Sequence, residues 1–403
     1  MNPDRHILVT GVRHRTAPIA VRECFALRED QIADALAALK AQPGILECAI
    51  LSTCNRTEFY ITTDDVEAGM TAIRQFGLSF QKIDYTQYRP HLFTLLGEDA
   101  ALHLLRVASG LDSLILGEGQ ILGQVKDALS CAQQAQSAGT YMDKLFKAAL
   151  SAGKRVRTET GIAEKDVSVS RAAFEFAKDY DPQLFDRKIA LVGGGKMAEI
   201  LMASLKHEMT PAQLQNIRIV NRSERRLETL AAKHGLTPEP WENLDAVLNN
   251  SDVLFVATGA PHVIFGQQHF KDRGDKLIID IAVPRNVDPR VNELPNVKLF
   301  NTDNLSGIGN AAFSDETQAL LKAQAQEIIE EEYLAFHQWQ TTLSIVPTIT
   351  QLHAKFERTA GNDGKALIKK ILHEPTVRLK SVNDPDALKR HAATLTELFD
   401  LNE

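Results

Sequence analysis

The feature that most constrains this chain is a short apolar run ending in glycines. Ile189-Ala190-Leu191-Val192 passes directly into Gly193-Gly194-Gly195-Lys196-Met197-Ala198. This reads as a buried strand, a tight turn and the start of a helix over 197–208. The alternation continues, with strands at 217–220, 253–257 and 277–281 and a helix at 224–234. Such a pattern builds a parallel sheet with helices on both faces. Gly193, Gly195 and Ala198 match G-x-G-x-x-A. In that setting the glycines let a pyrophosphate approach the backbone at a helix N-terminus. A Rossmann-type doubly wound domain is therefore expected, with Gly193, Gly194, Gly195, Lys196, Met197 and Ala198 forming its dinucleotide turn. The plainer alternative, a glycine-rich turn with no ligand, fits the strand–turn–helix setting less well.

The end of the second strand selects the cofactor. It carries Asn221-Arg222-Ser223 where an NAD site ordinarily has a carboxylate for the ribose 2′-hydroxyl. Arg222 and Ser223 suit a 2′-phosphate, so NADPH is expected. Arg225 and Arg226 read as solvated residues at a helix start.

The 403 residues are too many for one core. Ahead of the doubly wound segment, 6–12, 48–51 and 59–61 read as strands. Residues 19–40 and most of 100–152 have helical periodicity. After Asn310, residues 314–343 contain neither Gly nor Pro. Leu321, Ala325, Ile328, Phe336, Trp339 and Leu343 lie mostly three or four apart, on a helix of about 45 Å. Such a stripe needs a covering partner, and a second copy of the chain is expected to supply it. Pro347 is expected to end the helix, and Asp384-Pro385 to open another. The expected class is thus a multidomain α/β and α+β protein. An α+β catalytic domain spans 1–160 and the Rossmann-type domain 161–312. A long helix and a helical dimerisation domain span 313–403.

Composition excludes little. The net charge is -7, with 44% hydrophobic residues. No apolar run reaches the roughly 18–20 residues that span a bilayer, and Met1 to His6 lacks an apolar core, so a cytoplasmic protein is expected. Lys144, Lys147, Lys154, Arg155 and Arg157 form a local basic cluster. Solvated surface is its ordinary reading, and a salt-sensitive phosphate contact is the weaker one. The cysteines Cys24, Cys48, Cys54 and Cys131 show no metal-ligand spacing, and no metal is expected. Three of them lie in apolar-periodic or strand-like stretches. Cys54 instead sits in the polar turn Ser52-Thr53-Cys54-Asn55-Arg56, where a neighbouring arginine can lower a thiol pKa. On these residues alone, nucleophile and bystander are equally good readings.

Three blocks resolve that choice. Gly11-Val12-Arg13-His14-Arg15-Thr16-Ala17-Pro18, Ser52-Thr53-Cys54-Asn55-Arg56-Thr57-Glu58, and Ala108-Ser109-Gly110-Leu111-Asp112-Ser113 followed by Gly117-Glu118-Gly119-Gln120-Ile121-Leu122-Gly123-Gln124 resemble the glutamyl-tRNA reductase family in order and spacing. The resemblance covers roughly residues 6–345. It implies that Cys54 is the nucleophile and that Thr53, Asn55, Arg56, Ser113, Glu118, Gly119, Gln120 and Gln124 recognise the glutamyl group. Arg56 is the residue expected to pair with the substrate γ-carboxylate, because a guanidinium can bind it bidentately. His103 matches a histidine that the family needs for activity, although a satisfied histidine among apolar neighbours would otherwise be preferred. Arg13 and Arg15 stand where the family usually carries Asn and Lys. The implied reaction is NADPH-dependent reduction of glutamyl-tRNA to glutamate-1-semialdehyde, at the start of tetrapyrrole (porphyrin) synthesis. The implied assembly is a homodimer, and the further implied partner is glutamate-1-semialdehyde aminomutase. The competing readings are a cysteine-dependent semialdehyde dehydrogenase acting on a free metabolite and a non-catalytic tRNA-binding dimer. The position of Cys54 ahead of the nucleotide domain argues against the first.

Overall fold

The computed structural model describes residues 5–162, 168–305, 315–382 and 384–401. The expected domain limit at 312–313 and Ser314, the first residue of the expected long helix, lie outside them. The N-terminal part contains β1 (His6–Arg13), α1 (Ile19–Phe25), α2 (Ile32–Lys40), β2 (Glu47–Ser52), β3 (Arg56–Thr63), α3 (Val66–Phe76), β4 (Phe93–Leu96), α4 (Gly97–Ala108), α5 (Gln120–Gln134) and α6 (Thr140–Glu159). Its sheet has the order β2-β3-β1-β4 and is antiparallel throughout. Gly11 is required where β1 meets β3, because a Cβ there would lie 2.1 Å from the Thr57 carbonyl oxygen.

The single helix expected over 19–40 is broken. Ala26 is extended, at ψ 132°. Leu27 N–H then donates to Ser52 Oγ at 3.1 Å, and that hydroxyl donates back to the Leu27 carbonyl at 3.2 Å. A tertiary contact replaces helical hydrogen bonds that periodicity favours. Strand β3 also begins earlier than its apolar core suggests. It takes in Arg56, Thr57 and Glu58, all buried.

The second part contains α7 (Val169–Tyr180), β5 (Ile189–Val192), α8 (Lys196–Glu208), α9 (Pro211–Leu214), β6 (Ile217–Val220), α10 (Glu224–His234), β7 (Thr237–Glu239), α11 (Leu244–Asn250), β8 (Val253–Val256), β9 (Lys276–Asp280) and β10 (Val297–Asn301). The six strands are parallel, in the order β10-β9-β8-β5-β6-β7. The chain reverses its direction of winding between β5 and β8. Doubly wound sheets bind ligands at that crevice, outside the carboxyl ends of the strands.

The third part contains α12 (Asp315–Leu343), α13 (Val346–Lys380) and α14 (Pro385–Leu398). Pro347 begins α13 instead of ending α12; it lies in the first turn, where a missing N–H costs nothing. Asp384 caps α14 as expected, accepting from the Asp386 N–H at 3.0 Å. The apolar stripe of α12 corrects a stronger expectation. Leu321, Ala325, Ile328, Phe336 and Leu343 are buried in the same core as α4 and α6. Tyr141 packs edge-on against Phe336 and Trp339, with centroids 6.0 and 5.6 Å away. The chain covers its own stripe, at about 1.5–3 kcal/mol for each large side chain buried. Truncation near Asn310 would therefore strip the N-terminal domain as well as remove a dimerisation element. Among the described residues, the large apolar side chains left exposed here are Leu367, Ile371 and Val377 of α13, Leu398 of α14 and Phe399 just after it, together with Leu320 and Leu334 of α12.

Candidate active site

The turn between β2 and β3 carries Cys54. Thr53 shapes it: its hydroxyl accepts from the Asn55 and Arg56 N–H groups at 3.2 Å each, and its own N–H donates to the Arg56 carbonyl at 2.8 Å. Cys54 is partly exposed as a residue, yet its thiol is densely surrounded. Burial pushes that thiol up to about 12, and Glu118 adds to the shift against the opposing pull of Arg22 and Arg56. The expectation that the adjacent arginine yields a resting thiolate is thus corrected, because desolvation outweighs the cation. Burial also pushes Glu118 up to about 7, against the pull of Arg56. A carboxyl that titrates near neutrality therefore lies within electrostatic reach of the thiol.

Arg56 is not free either. Its Nη1 donates to Glu58 Oε1 at 2.8 Å and to Asp112 Oδ2 at 3.1 Å, and its Nη2 donates to the Asp112 carbonyl. It is 1% exposed. Reaching both Nη atoms would require a substrate carboxylate to displace Asp112, so the expected bidentate clamp is not what this guanidinium makes here. Glu58 also accepts from Tyr60 Oη at 2.6 Å and meets His103 Nε2 at 3.0 Å. Burial alone would raise the Glu58 pKa, but His103 and Arg56 hold it far below the usual carboxylate range. Arg13 Nη1 lies 3.5 Å from His103 Nδ1 and 3.2 Å from Asp112 Oδ2. Arg13 can only donate, which leaves the His103 Nε2–H to point at Glu58. Both ring nitrogens of His103 are thus spent on the network behind the turn. Removing one member of such a buried network leaves an uncompensated charge, at a cost of about 3–5 kcal/mol.

Glu58, His103 and Asp112 bring three ligand-type atoms within 4.8 Å of one another. Arg56 Nη1 already bridges two of them, so the cation in this cluster is a guanidinium. Arg15 adds a further contact to Asp112, at 3.5 Å. Three guanidinium groups, of Arg13, Arg15 and Arg56, therefore face two carboxylates. Among the described residues, ten buried side-chain polar atoms lack a partner, and four of them cluster here: Arg13 Nε, His14 Nδ1, Asn55 Oδ1 and Arg56 Nε. Sequence reasoning missed Arg13 and His14 as candidates for the pocket, although they stand in a block it singled out. Ser113 and Glu118 are buried on the loop after α4; Gly119, Gln120 and Gln124 are half-buried where α5 begins. The Gly119 carbonyl is held by Arg157 Nη1 at 2.8 Å. The basic cluster on α6 is largely spent inside the chain. Lys147 pairs with Asp143, Arg155 with Glu159, Glu331 and Glu332, and Lys144 sits over Trp339.

The glycine turn lies at the crevice between β5 and β8. Gly193 has φ +127°, and a Cβ there would lie 2.2 Å from the Ala257 carbonyl oxygen. Gly195 faces open space and is the N-cap of α8 without a side-chain cap, leaving that helix start to an incoming anion. Arg222 is exposed and stacks 5.0 Å over Trp241, while Ser223 is the N-cap of α10. Asn221, not a carboxylate, directly follows β6. These residues fit a dinucleotide carrying a 2′-phosphate. They also bring together the cofactor set expected from sequence, including Lys196, Met197 and Ala198 in the first turn of α8.

A doubly wound fold with a glycine turn open at its crevice, in a chain that also carries a thiol in a polar turn, defines the class as a dinucleotide-dependent oxidoreductase. Comparison with known proteins narrows the class. Residues 10–160 match the profile of the glutamyl-tRNAGlu reductase N-terminal domain, 175–308 that of shikimate/quinate 5-dehydrogenase, and 324–362 that of the glutamyl-tRNAGlu reductase dimerisation domain. Glutamyl-tRNA reductase of Synechococcus sp. (strain JA-3-3Ab) is 40% identical over 425 residues, covering 98% of this chain and 97% of the relative. That of Cyanothece sp. (strain PCC 7425 / ATCC 29141) is 38% identical over 426 residues, with the same coverage. The solved glutamyl-tRNA reductase of Methanopyrus kandleri aligns over 100% of both chains, with 25% identity and a TM-score of 0.49. This chain belongs to the glutamyl-tRNA reductase family.

Proposed function

We propose that this protein reduces the glutamyl ester of tRNA to glutamate-1-semialdehyde with NADPH, the first committed step toward tetrapyrroles, and that Cys54 carries the glutamyl group between the two half-reactions. The observation carrying the residue assignment is the cluster of unpartnered polar atoms around the Cys54 turn. Arg13 Nε and Arg56 Nε offer donors to the free γ-carboxylate of a glutamyl ester, and Asn55 Oδ1 offers an acceptor to its ammonium. The excess of guanidinium over carboxylate charge favours an anionic side chain. Thr53, Ser113, Gly119, Gln120 and Gln124 complete the pocket, and His103 acts as a positioning residue through Glu58 and Arg13.

Cys54 attacks the ester carbonyl, and the tRNA leaves as its 3′ alcohol. Since the resting thiol is protonated, the attack needs a base, and the reading assigns that role to Glu118, whose charge acts on the thiol and which titrates near 7. The resulting thioester has less resonance stabilisation than the ester and is the better hydride acceptor. NADPH, held by the glycine turn, Arg222 and Ser223, supplies the hydride when bound. The chain's own residues hold the acyl group. The domain limits in this reading are 160 and 312. The product is an unstable aldehyde, which the aminomutase implied by the family consumes, and the location is cytoplasmic. Among the described residues no helix is long and apolar enough to cross a membrane.

The discriminating assay is NADPH oxidation with glutamyl-tRNA against free glutamate derivatives. Turnover of the free derivatives at comparable kcat/KM would favour the metabolite dehydrogenase instead. Two further outcomes follow. A base that titrates near 7 must be ionised to act, so acylation of Cys54 should rise as pH passes upward through about 7. Glu118→Gln keeps the size and polarity but should slow acylation by about 10²–10⁴-fold and flatten that pH profile. An unchanged profile, read by single-turnover quench, would reject Glu118 as the base. Arg222→Asp places a carboxylate where the 2′-phosphate would sit, and should invert or erase the preference for NADPH over NADH. Equal use of both cofactors by the unmutated protein would count against the assignment.

A further inference from the structure

Helix α1 touches both halves of the chemistry. Its N-terminus has Pro18 in the capping position and no side-chain cap of its own. The cap comes from the dinucleotide domain: Asp303, in the turn after β10, accepts from the Ile19 N–H at 2.9 Å. Arg22, 2% exposed, donates to Asp303 Oδ1 at 2.9 Å and to Thr302 Oγ1 at 3.3 Å. The next residue, Glu23, accepts from Arg285 Nε at 2.8 Å, from its Nη2 at 2.9 Å and from its backbone N–H. Both partners are largely buried, at 20% and 17% side-chain exposure, where a bidentate pair is worth more than on an open surface.

What lies beyond each end of this contact gives it meaning. Arg285 belongs to the loop after β9. Its neighbour Asn286 is fully buried and accepts from Thr258 Oγ1, while its Nδ2 donates to the carbonyls of Ala260 at 3.0 Å and His262 at 3.1 Å. Those residues form the loop after β8, which borders the crevice opposite the glycine turn. At the other end, α1 runs into Leu27, which exchanges hydrogen bonds with Ser52, two residues before Cys54. A continuous path of short contacts thus joins the rim of the dinucleotide crevice to the turn that holds the thiol.

We propose that Glu23 and Arg285 form a docking pair that registers the dinucleotide domain against Cys54, and so directs the glutamyl thioester to reduction instead of hydrolysis. The inference rests on the reading of Cys54 as acyl carrier. In reduction, the thioester carbonyl carbon gains a hydride from NADPH and its oxygen a proton. The thiohemiacetal then expels the Cys54 thiol, leaving the aldehyde and NADP+. In hydrolysis, water adds to the same carbon and the same thiol leaves, giving free glutamate. Hydride transfer depends steeply on the placement of one domain over the other, whereas attack by water does not. The pair acts by positioning and touches neither substrate nor cofactor.

The test uses the full-length protein with glutamyl-tRNA, following labelled glutamate and semialdehyde with and without NADPH. NADPH binding is measured separately by equilibrium fluorescence. Glu23→Arg and Arg285→Glu should each lower semialdehyde formation by about a hundredfold, the scale expected for a misplacement near 1 Å. Cofactor-independent glutamate release and NADPH affinity should stay at the parent's values. The double variant Glu23→Arg/Arg285→Glu re-forms the pair in reverse and should recover most of the reduction. Glu23→Gln keeps one oxygen acceptor and should fall between parent and reversal, which preserves the test if a charge reversal unfolds the chain. A reduction-to-hydrolysis ratio equal to the parent's in Glu23→Gln and in the folded reversals overturns the proposal. So does an equal loss of both activities that the double variant does not repair. A parent that releases no glutamate without NADPH removes the Cys54 reading, and the docking role with it. A parent that releases glutamate while the variant ratios hold removes the docking role alone.

Discussion

Cys54→Ser is expected to lose both half-reactions, with glutamyl-tRNA hydrolysis and semialdehyde formation falling on the order of 10⁴-fold or more. The site already holds a cysteine thiol at about 12 through burial and the neighbouring Glu118. A serine hydroxyl in the same surroundings is far harder to ionise, and a single carboxyl titrating near 7 is a weak base for it. The measurement follows labelled glutamate released by parent and variant without NADPH. It is joined to mass spectrometry of the acid-quenched parent for a glutamyl adduct. The competing thiols differ in ways that sharpen the test. Cys48 is fully buried and pushed up to about 12 by burial. Cys131 is half-exposed and also raised, first by burial. Cys24 is exposed and is the most accessible competitor. An adduct on Cys24, or a serine variant as fast as the parent, would sink the assignment of Cys54.

Gly195→Leu should give the opposite pattern, with NADPH binding and reduction lost while cofactor-independent hydrolysis and thermal stability are retained. The geometry makes this position the clean probe. Gly195 has φ -78° and ψ -179°, which any residue adopts, and a Cβ there meets nothing within 4 Å. A bulky side chain would fill only the space through which a pyrophosphate reaches the start of α8. Gly193 makes a poorer probe, although the sequence motif treats the two glycines alike. Its φ of +127° and the 2.2 Å approach of a Cβ to the Ala257 carbonyl oxygen mean that substitution also damages the sheet crevice. Gly193→Val should cost at least about 1–3 kcal/mol in stability, from backbone strain alone. Isothermal calorimetry with NADPH and a thermal melt on each variant separate the two effects. Normal NADPH affinity in Gly195→Leu would place the cofactor elsewhere.

The dinucleotide domain was legible because its signals are local. A buried parallel strand is a short apolar run, and a phosphate turn requires glycines in fixed order. Ile189–Val192, Gly193 to Gly195 and the Asn221-Arg222-Ser223 strand end carry those requirements in consecutive residues. The long helix was legible for the same reason, through its three- and four-residue steps. What covers that helix was not, since Tyr141 on α6 lies nearly two hundred residues from the α12 side chains it meets.

The active-site turn divides along the same line. Sequence alone determined that Cys54 lies in a polar turn between two strands and that its flanking blocks match one family. Tertiary structure alone decided the state of its neighbours. Arg56 looked like a free cation beside a thiol until Asp112, 56 residues on, and Glu58 took up its guanidinium. Glu118 gained its raised pKa only when the loop after α4 buried it beside the turn. Helix α1 ends at Phe25 because Ser52 holds Leu27, and begins at Ile19 capped by Asp303 from a different domain. Periodicity and turn chemistry are set by each residue and its near neighbours, so they can be read along the chain. Charge state, capping and coverage depend on burial and on partners dozens to hundreds of residues away, and these exist only once the chain has closed on itself.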